Sequence, residues 1–69
     1  LDVYGRVARL LLELSEDDAG RRVVKKKISK QDMARMIGAS REMVSKVMRD
    51  LELSGYILCE NNQVIILGA

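Results

Sequence analysis

Apolar residues at the start of the chain repeat with a helical period. They recur three or four positions apart, at Val3, Val7, Leu10, Leu11 and Leu14. This spacing places them on one face of an α-helix. Asp2 precedes the stripe and is a residue type that caps helix N-termini. The polar stretch from Ser15 to Gly20 breaks the period and predicts a surface loop.

Between Arg21 and Ile28 the helical period is absent, and three consecutive lysines separate β-branched residues. A short extended segment is predicted there. A helix is predicted next, because Ser29 is a suitable N-cap and Asp32 follows it at capping-box spacing. Its buried side is predicted to comprise Met33, Ala34, Met36 and Ile37.

Gly38 ends this helix, since glycine adopts the left-handed conformation most readily. Ser40 is the N-cap of a further helix, and Gly55 lies just beyond its end. The apolar stripe of this helix consists of Val44, Val47, Met48 and Leu51.

The C-terminal part predicts a β-hairpin. Strands are predicted over residues 56–59 and 64–67, with the turn at 60–63. Asn61 and Asn62 suit a type I′ turn because asparagine tolerates positive φ. The 69 residues allow one domain, 1–69. The fold class predicted is mainly α with a small β-hairpin: a winged helix-turn-helix with a three-helix core and a wing over 56–67.

Residues 30–53 satisfy the demands of a helix-turn-helix. Two helices that cross steeply require a small residue where they approach, which Ala34 provides, and a turn residue able to reach positive φ, which Gly38 provides. Apolar residues must then hold the second helix against the first, and Ile37, Val44 and Val47 serve this purpose.

Charge is unevenly distributed, although the net charge is only +2. Ten basic residues and only two acids lie between Arg21 and Arg49, and the remainder of the chain is acidic. This asymmetry favours a polyanionic partner for the central segment. Double-stranded DNA is the partner predicted, with sequence-specific binding by a recognition helix over residues 41–53 in the major groove.

The exposed side of that helix carries the candidate base-reading residues. Arg41 can donate two hydrogen bonds to guanine, and Glu42 can accept one from cytosine. Glu42 has an alternative role as a favourable negative charge at a helix N-terminus. Candidate phosphate contacts are hydroxyl, amide and cationic side chains near the motif: Lys27, Ser29, Lys30, Gln31, Ser40, Ser45 and Arg49. The tip of the wing consists of Asn61, Asn62 and Gln63. It either contacts the DNA or is a solvated turn.

Several other classes are disfavoured. The chain has no histidine, its single Cys59 has no evident base partner, and no glycine-rich phosphate loop occurs, so no enzyme is predicted. Neither a metal site nor a cofactor is expected in this domain. Cys59 is expected to be a small core residue. No membrane segment is evident, and a cytoplasmic location is expected. The alternative function is a winged-helix protein-interaction module without DNA binding.

Four stretches resemble the C-terminal DNA-binding domain of the Crp/Fnr family, the regulators related to the cyclic-AMP receptor protein. They are residues 1–8, 28–32, 37–44 and 64–68, and 37–44 is the most specific. The resemblance implies that Arg41 and Glu42 are the base-reading pair and that Lys46 occupies a third base-contacting position, usually Arg in relatives. It also implies that Ser29, Gln31 and Ser40 contact phosphates.

The resemblance further implies that the chain is a fragment of a longer bacterial transcription regulator. Such regulators carry an N-terminal sensor domain for a cyclic nucleotide or another effector, and they bind palindromic operators as homodimers. In some family members the region matching Glu16, Asp17 and Asp18 touches RNA polymerase.

Overall fold

A computed structural model describes residues 2–68. The helices are α1 (Val3–Leu14), α2 (Lys30–Ile37) and α3 (Arg41–Leu53). The strands are β1 (Glu16–Asp18), β2 (Arg21–Val24), β3 (Ile57–Glu60) and β4 (Gln63–Ile66). Three helices and an antiparallel sheet make a winged helix-turn-helix, which confirms the predicted fold class. The sheet is larger than the small hairpin expected, because β2 and β1 extend it.

Each helix begins at the N-cap residue predicted from the sequence. The Asp2 carboxylate accepts a hydrogen bond from the Tyr4 amide, Ser29 Oγ accepts from the Asp32 amide, and Ser40 Oγ accepts from the Met43 amide, all at 3.0–3.1 Å. These bonds satisfy backbone donors that have no partner within the helix. Asp32 also pairs with Arg35, one turn further along α2.

The turn between α2 and α3 is very short. Gly38 has φ 72° and ψ 37°, the left-handed conformation expected of a helix-ending glycine. The Ala39 amide donates to the Ala34 carbonyl at 2.9 Å, which closes the end of α2. Ser40 then returns to extended backbone and α3 begins at the following residue. Gly55 ends α3 similarly, with φ 82°.

The expectation of a loop from Ser15 to Gly20 is wrong for the middle of this stretch. Glu16–Asp18 forms β1, which pairs antiparallel with β2. Aspartate is a poor strand former, but contacts from two basic side chains stabilise the pairing. Lys25 reaches the carboxylates of Glu16 and Asp18, and Arg22 donates to the Ser15 carbonyl. Ala19 and Gly20 make the turn, both with positive φ.

The predicted extended segment is shorter than expected, because strand structure covers only Arg21–Val24 of residues 21–28. β2 pairs with β4, and β4 pairs with β3, giving the sheet order β1-β2-β4-β3. The register sets Val24 opposite Val64 and Ile57 opposite Ile66. These side chains belong to the sheet face that packs on the helices.

The wing hairpin consists of β3 and β4. Each strand is displaced by one residue from its predicted position, and the turn residues Asn61 and Asn62 have φ 53° and 60°. The type I′ turn expected of two asparagines is therefore confirmed.

The core is aliphatic and lies where the helices meet the sheet. Its fully or nearly buried members are Val7, Leu11, Val24, Met33, Ala34, Val44, Val47, Met48 and Ile57. All three helices contribute to it, and no buried charged or polar residue occurs among residues 2–68.

Two expectations of burial are wrong. Met36 is 57% exposed because it lies about 100° around α2 from the centre of the inward-facing stripe of Met33, Ala34 and Ile37. Cys59 is exposed, although it shares a sheet face with buried Ile57, because it lines an open groove beside the wing.

Replacing Val47 with alanine is expected to destabilise the domain by about 2 kcal/mol. Val47 is 1% exposed at the centre of the core, so the lost methyl groups leave a cavity. Leu53→Ala in the same helix is the control, because Leu53 is 81% exposed. It is expected to change stability by less than about 0.5 kcal/mol. Urea unfolding of both variants measures this, and equal losses would contradict the assigned core.

Gly38→Ala is expected to destabilise the domain by about 1 kcal/mol, because an L-residue with a Cβ is disfavoured in the left-handed conformation. A Cβ built at Gly38 meets no atom within 4 Å, so backbone conformation alone causes the loss. Gly38→Asn is therefore expected to lose less, since asparagine tolerates this conformation. Thermal unfolding separates the two variants, and a larger loss for Asn would contradict this explanation.

Candidate nucleic-acid interface

The motif fixes the direction of α3 relative to α2. Ala34, the small residue expected where the two helices approach, is 1% exposed, and it lies in one core cluster with Val44 and Val47 of α3. Arg6, on α1, donates from Nη1 to the Ile37 carbonyl at 2.9 Å, at the C-terminus of α2. A guanidinium there satisfies a carbonyl without a helical partner and complements the helix dipole. The sequence gives no sign of this contact, because it joins residues 31 positions apart.

The side of α3 opposite the core is polar. Arg41 and Glu42 lie exposed in its first turn, and Arg49 is exposed two turns later. Within residues 2–68 none of these three side chains forms a hydrogen bond or ion pair with another residue. Ser45 is half-buried between them. The N-terminal part of this face therefore presents one free guanidinium beside one free carboxylate.

Lys46 differs from its neighbours on this face because it is already bonded. Its Nζ donates to Asp50 Oδ2 at 2.9 Å and to the Tyr4 hydroxyl at 3.0 Å. The Tyr4 hydroxyl in turn donates to Asp50 Oδ2. The hydrogen bonds to Tyr4 and Asp50 raise the pKa of Lys46, and those from Tyr4 and Lys46 lower the pKa of Asp50. Sequence reasoning missed Tyr4 and Asp50, although the four-residue spacing of Lys46 and Asp50 was a signal.

The two capping serines retain hydrogen-bonding capacity. Ser29 Oγ and Ser40 Oγ each accept an amide hydrogen bond, but a hydroxyl also carries a hydrogen that it can donate. Lys30 and Gln31 are exposed in the first turn of α2, next to Ser29. Helix N-termini with hydroxyl and cationic side chains are suited to holding phosphate groups.

A groove of about 350 Å³ separates the wing from the lysine-rich stretch that leads into α2. Asn61, Asn62 and Gln63 line it on the wing side, and Lys26, Lys27 and Lys30 line it on the other. The structure thus brings the wing tip close to these lysines, although the two sets lie more than 30 positions apart in the sequence. Cys59 also lines this groove, and partial desolvation raises the pKa of its thiol.

Some of the basic residues counted in the sequence are neutralised within the domain. Lys25 lies within 4.0 Å of carboxylate oxygens of Glu16 and Asp18, Arg35 pairs with Asp32, and Lys46 pairs with Asp50. Across residues 2–68, Lys26, Lys27, Lys30, Arg41 and Arg49 form no ion pair. Most of the cations without an ion pair in this part of the chain therefore lie on α3, at the start of α2 and in the groove beside the wing. The others are Arg6 on α1 and Arg21 and Arg22 on β2.

Two kinds of site do not appear in the described part of the chain. No group of three or more side chains there could hold a metal ion. Among residues 2–68, no helix is long and apolar enough to cross a membrane.

Comparisons with known proteins agree with this geometry. A family profile described as the Crp-like helix-turn-helix domain matches residues 5–68. The chain is 39% identical to the cAMP-activated global transcriptional regulator Vfr of Pseudomonas aeruginosa, over 99% of this chain and 33% of Vfr. It is 36% identical to a CRP-like cAMP-activated global transcriptional regulator of Mycobacterium tuberculosis, over 94% of this chain and 31% of the relative.

Solved structures show the same arrangement. TTHA1359, a CRP/FNR-family transcriptional regulator of Thermus thermophilus, superposes with a TM-score of 0.75 at 30% identity, over 96% of this chain and 36% of that one. CprK C200S superposes with a TM-score of 0.76 at 17% identity, over 94% of this chain and 34% of that one, which shows the fold alone. The chain spans about a third of the length of these relatives. The profile match over nearly its whole length shows that the chain belongs to the Crp-like helix-turn-helix domain family.

Proposed function

We propose that this chain binds double-stranded DNA sequence-specifically, as the output domain of a bacterial transcription regulator, with α3 in the major groove. The observation that carries the proposal is the polar face of α3, where Arg41 and Glu42 are exposed and unpaired in the first turn. The residues at the N-terminal end of a recognition helix are those that reach base edges. Family membership supports the same function.

Base reading is assigned first to Arg41 and Glu42. The Arg41 guanidinium matches the O6 and N7 acceptors of guanine, and the Glu42 carboxylate matches the N4 donor of cytosine. Glu42 also lies in the first turn of α3, where a negative charge is stabilised by the helix dipole. Lys46 is the third proposed base contact.

Phosphate binding is assigned to side chains that flank this face. Ser29, Lys30 and Gln31 stand at the N-terminus of α2, and Ser40 stands at that of α3. Ser45 and Arg49 lie on α3 itself, and Lys27 lies in the groove beside the wing. These contacts would fix the domain on the duplex without selecting a sequence. Asn61, Asn62 and Gln63 are placed to contact the adjacent DNA backbone or minor groove.

The parent regulator is proposed to be a cytoplasmic homodimer that binds a palindromic operator. Two relatives are named as cAMP-activated, so a cyclic nucleotide or another effector is proposed for a sensor domain outside these residues. The hairpin of β1 and β2, which carries Glu16, Asp17 and Asp18, is a proposed contact for RNA polymerase. No catalytic role is proposed.

Arg41→Ala is expected to weaken binding to a palindromic duplex with TGTGA-type half-sites by about 1–3 kcal/mol. It should weaken binding to a scrambled duplex much less, because guanine reading is lost while phosphate contacts remain. Fluorescence anisotropy of the 69-residue chain at two salt concentrations measures both affinities. Arg9→Ala is the control, since Arg9 lies outside the motif and pairs with Glu13. Equal losses on both duplexes would contradict base reading by Arg41.

Lys27→Gln and Lys30→Gln are each expected to weaken binding to both duplexes alike and to reduce the slope of log K against log salt by about 0.9. Lys25→Gln is the matched control because Lys25 is paired with Glu16 and Asp18, and it should leave the slope nearly unchanged. Binding that does not respond to salt at all would instead favour a winged-helix protein-interaction module.

A further inference from the structure

Three side chains from two helices form one closed hydrogen-bonded network at the edge of the polar face of α3. Lys46 and Asp50 lie one turn apart on α3, and Tyr4 belongs to the first turn of α1. Asp50 Oδ2 accepts from both Lys46 and Tyr4, and the Tyr4 oxygen accepts from Lys46. The tyrosine hydroxyl therefore uses its one hydrogen and one of its lone pairs, and the ammonium retains one free hydrogen.

The network sets the direction of the Lys46 side chain. Arg41 and Glu42 lie at the N-terminal end of α3, whereas Asp50 lies one turn beyond Lys46 towards the C-terminus. An ion pair with Asp50 directs the ammonium away from that N-terminal end. Tyr4 reinforces this direction from α1, and its own backbone amide is fixed by the Asp2 cap.

The network also neutralises the charge of Lys46. Arg49, one residue before Asp50, forms no ion pair within residues 2–68, whereas Lys46 has its counterion 2.9 Å away. A cation already paired with a carboxylate displaces fewer counterions from DNA than a free one. It also has fewer hydrogens left to donate to a base edge.

We propose that Tyr4 and Asp50 are positioning residues that hold Lys46 back from DNA, so that the first turn of α1 controls the third base-contacting position of α3. This inference rests on the DNA-binding function proposed above. Lys46 reaches DNA only when its bonds to Tyr4 and Asp50 open. Because the side chains of Lys46 and Asp50 are both partly exposed, these bonds open easily. This restraint on Lys46 therefore weakens DNA binding by a few-fold rather than by orders of magnitude.

Asp50→Asn in two backgrounds tests the restraint. With Lys46 present, the substitution is expected to tighten binding to the palindromic duplex about three- to fivefold and to steepen the salt slope by about 0.9, because the ammonium is released. With Lys46→Gln, the same substitution only removes a repulsive carboxylate, so the gain should be clearly smaller. Glu13→Gln controls for the removal of a negative charge elsewhere.

Tyr4→Phe separates the hydroxyl from the ring. The Lys46 ammonium lies 5.6 Å from the ring centroid, and phenylalanine keeps that ring while losing both hydrogen bonds. Tyr4→Phe is expected to increase the affinity for DNA, and the increase should again require Lys46. It should be smaller than that caused by Asp50→Asn, because the ion pair between Lys46 and Asp50 remains. Reductive methylation, read by mass spectrometry, should show Lys46 reacting more slowly than Lys26 in the parent chain and faster in Asp50→Asn.

Equal gains from Asp50→Asn with and without Lys46 would overturn the restraint, since the two residues would then act independently. Weaker binding by Asp50→Asn when Lys46 is present would also overturn it, because Asp50 would be holding Lys46 in its DNA-bound position. In both cases the parent chain still binds DNA and the proposed function stands. Failure of the parent chain to bind either duplex at low salt would overturn the function and the restraint together.

Discussion

The close approach of α2 and α3 at Ala34 is the constraint on which the rest of the structure depends. A larger side chain at this buried position would separate the helices, and the turn at Gly38 closes over so few residues that it cannot absorb such a shift. Val44 and Val47 complete the contact from α3. Because these residues fix which side of α3 is buried, they also fix which side presents Arg41, Glu42 and Arg49 to solvent.

Ion pairs in the folded domain change the charge distribution that the sequence suggests. The sequence places nearly all of its excess positive charge between Arg21 and Arg49, but the folded domain neutralises part of it through Lys25, Arg35 and Lys46. Most of the cations left without an ion pair lie on α3, at the start of α2 and in the groove beside the wing, whereas Arg6, Arg21 and Arg22 lie on α1 and β2. The acidic β1 is held by Lys25 and does not add its charge to that surface. The pattern of paired and unpaired cations, rather than net charge, marks the proposed interface.

Local chemistry was enough to predict the helices, their caps and the wing turn, because Ser29, Ser40, Gly38 and the two asparagines act within a few residues of their own position. Local chemistry could not show contacts that form only in the folded domain. β1 exists because β2 and Lys25 stabilise an acidic stretch whose composition is typical of a loop. The bonds of Arg6 to Ile37 and of Tyr4 to Lys46 and Asp50 join α1 to residues more than 30 positions away. The burial predicted for Cys59 was wrong because its exposure depends on the groove between the wing and the segment that precedes α2.

The central claim is that the polar face of α3, with the N-terminus of α2 and the wing, forms one DNA-binding surface. Amide chemical-shift mapping of the 69-residue chain during titration with the palindromic duplex tests it most directly. We predict that the largest shifts occur at residues 40–49, at 29–31 and at 61–63, and that α1 beyond its first turn changes little. Shifts concentrated on the outer side of α1 or on the hairpin of β1 and β2, with α3 unchanged, would contradict the claim.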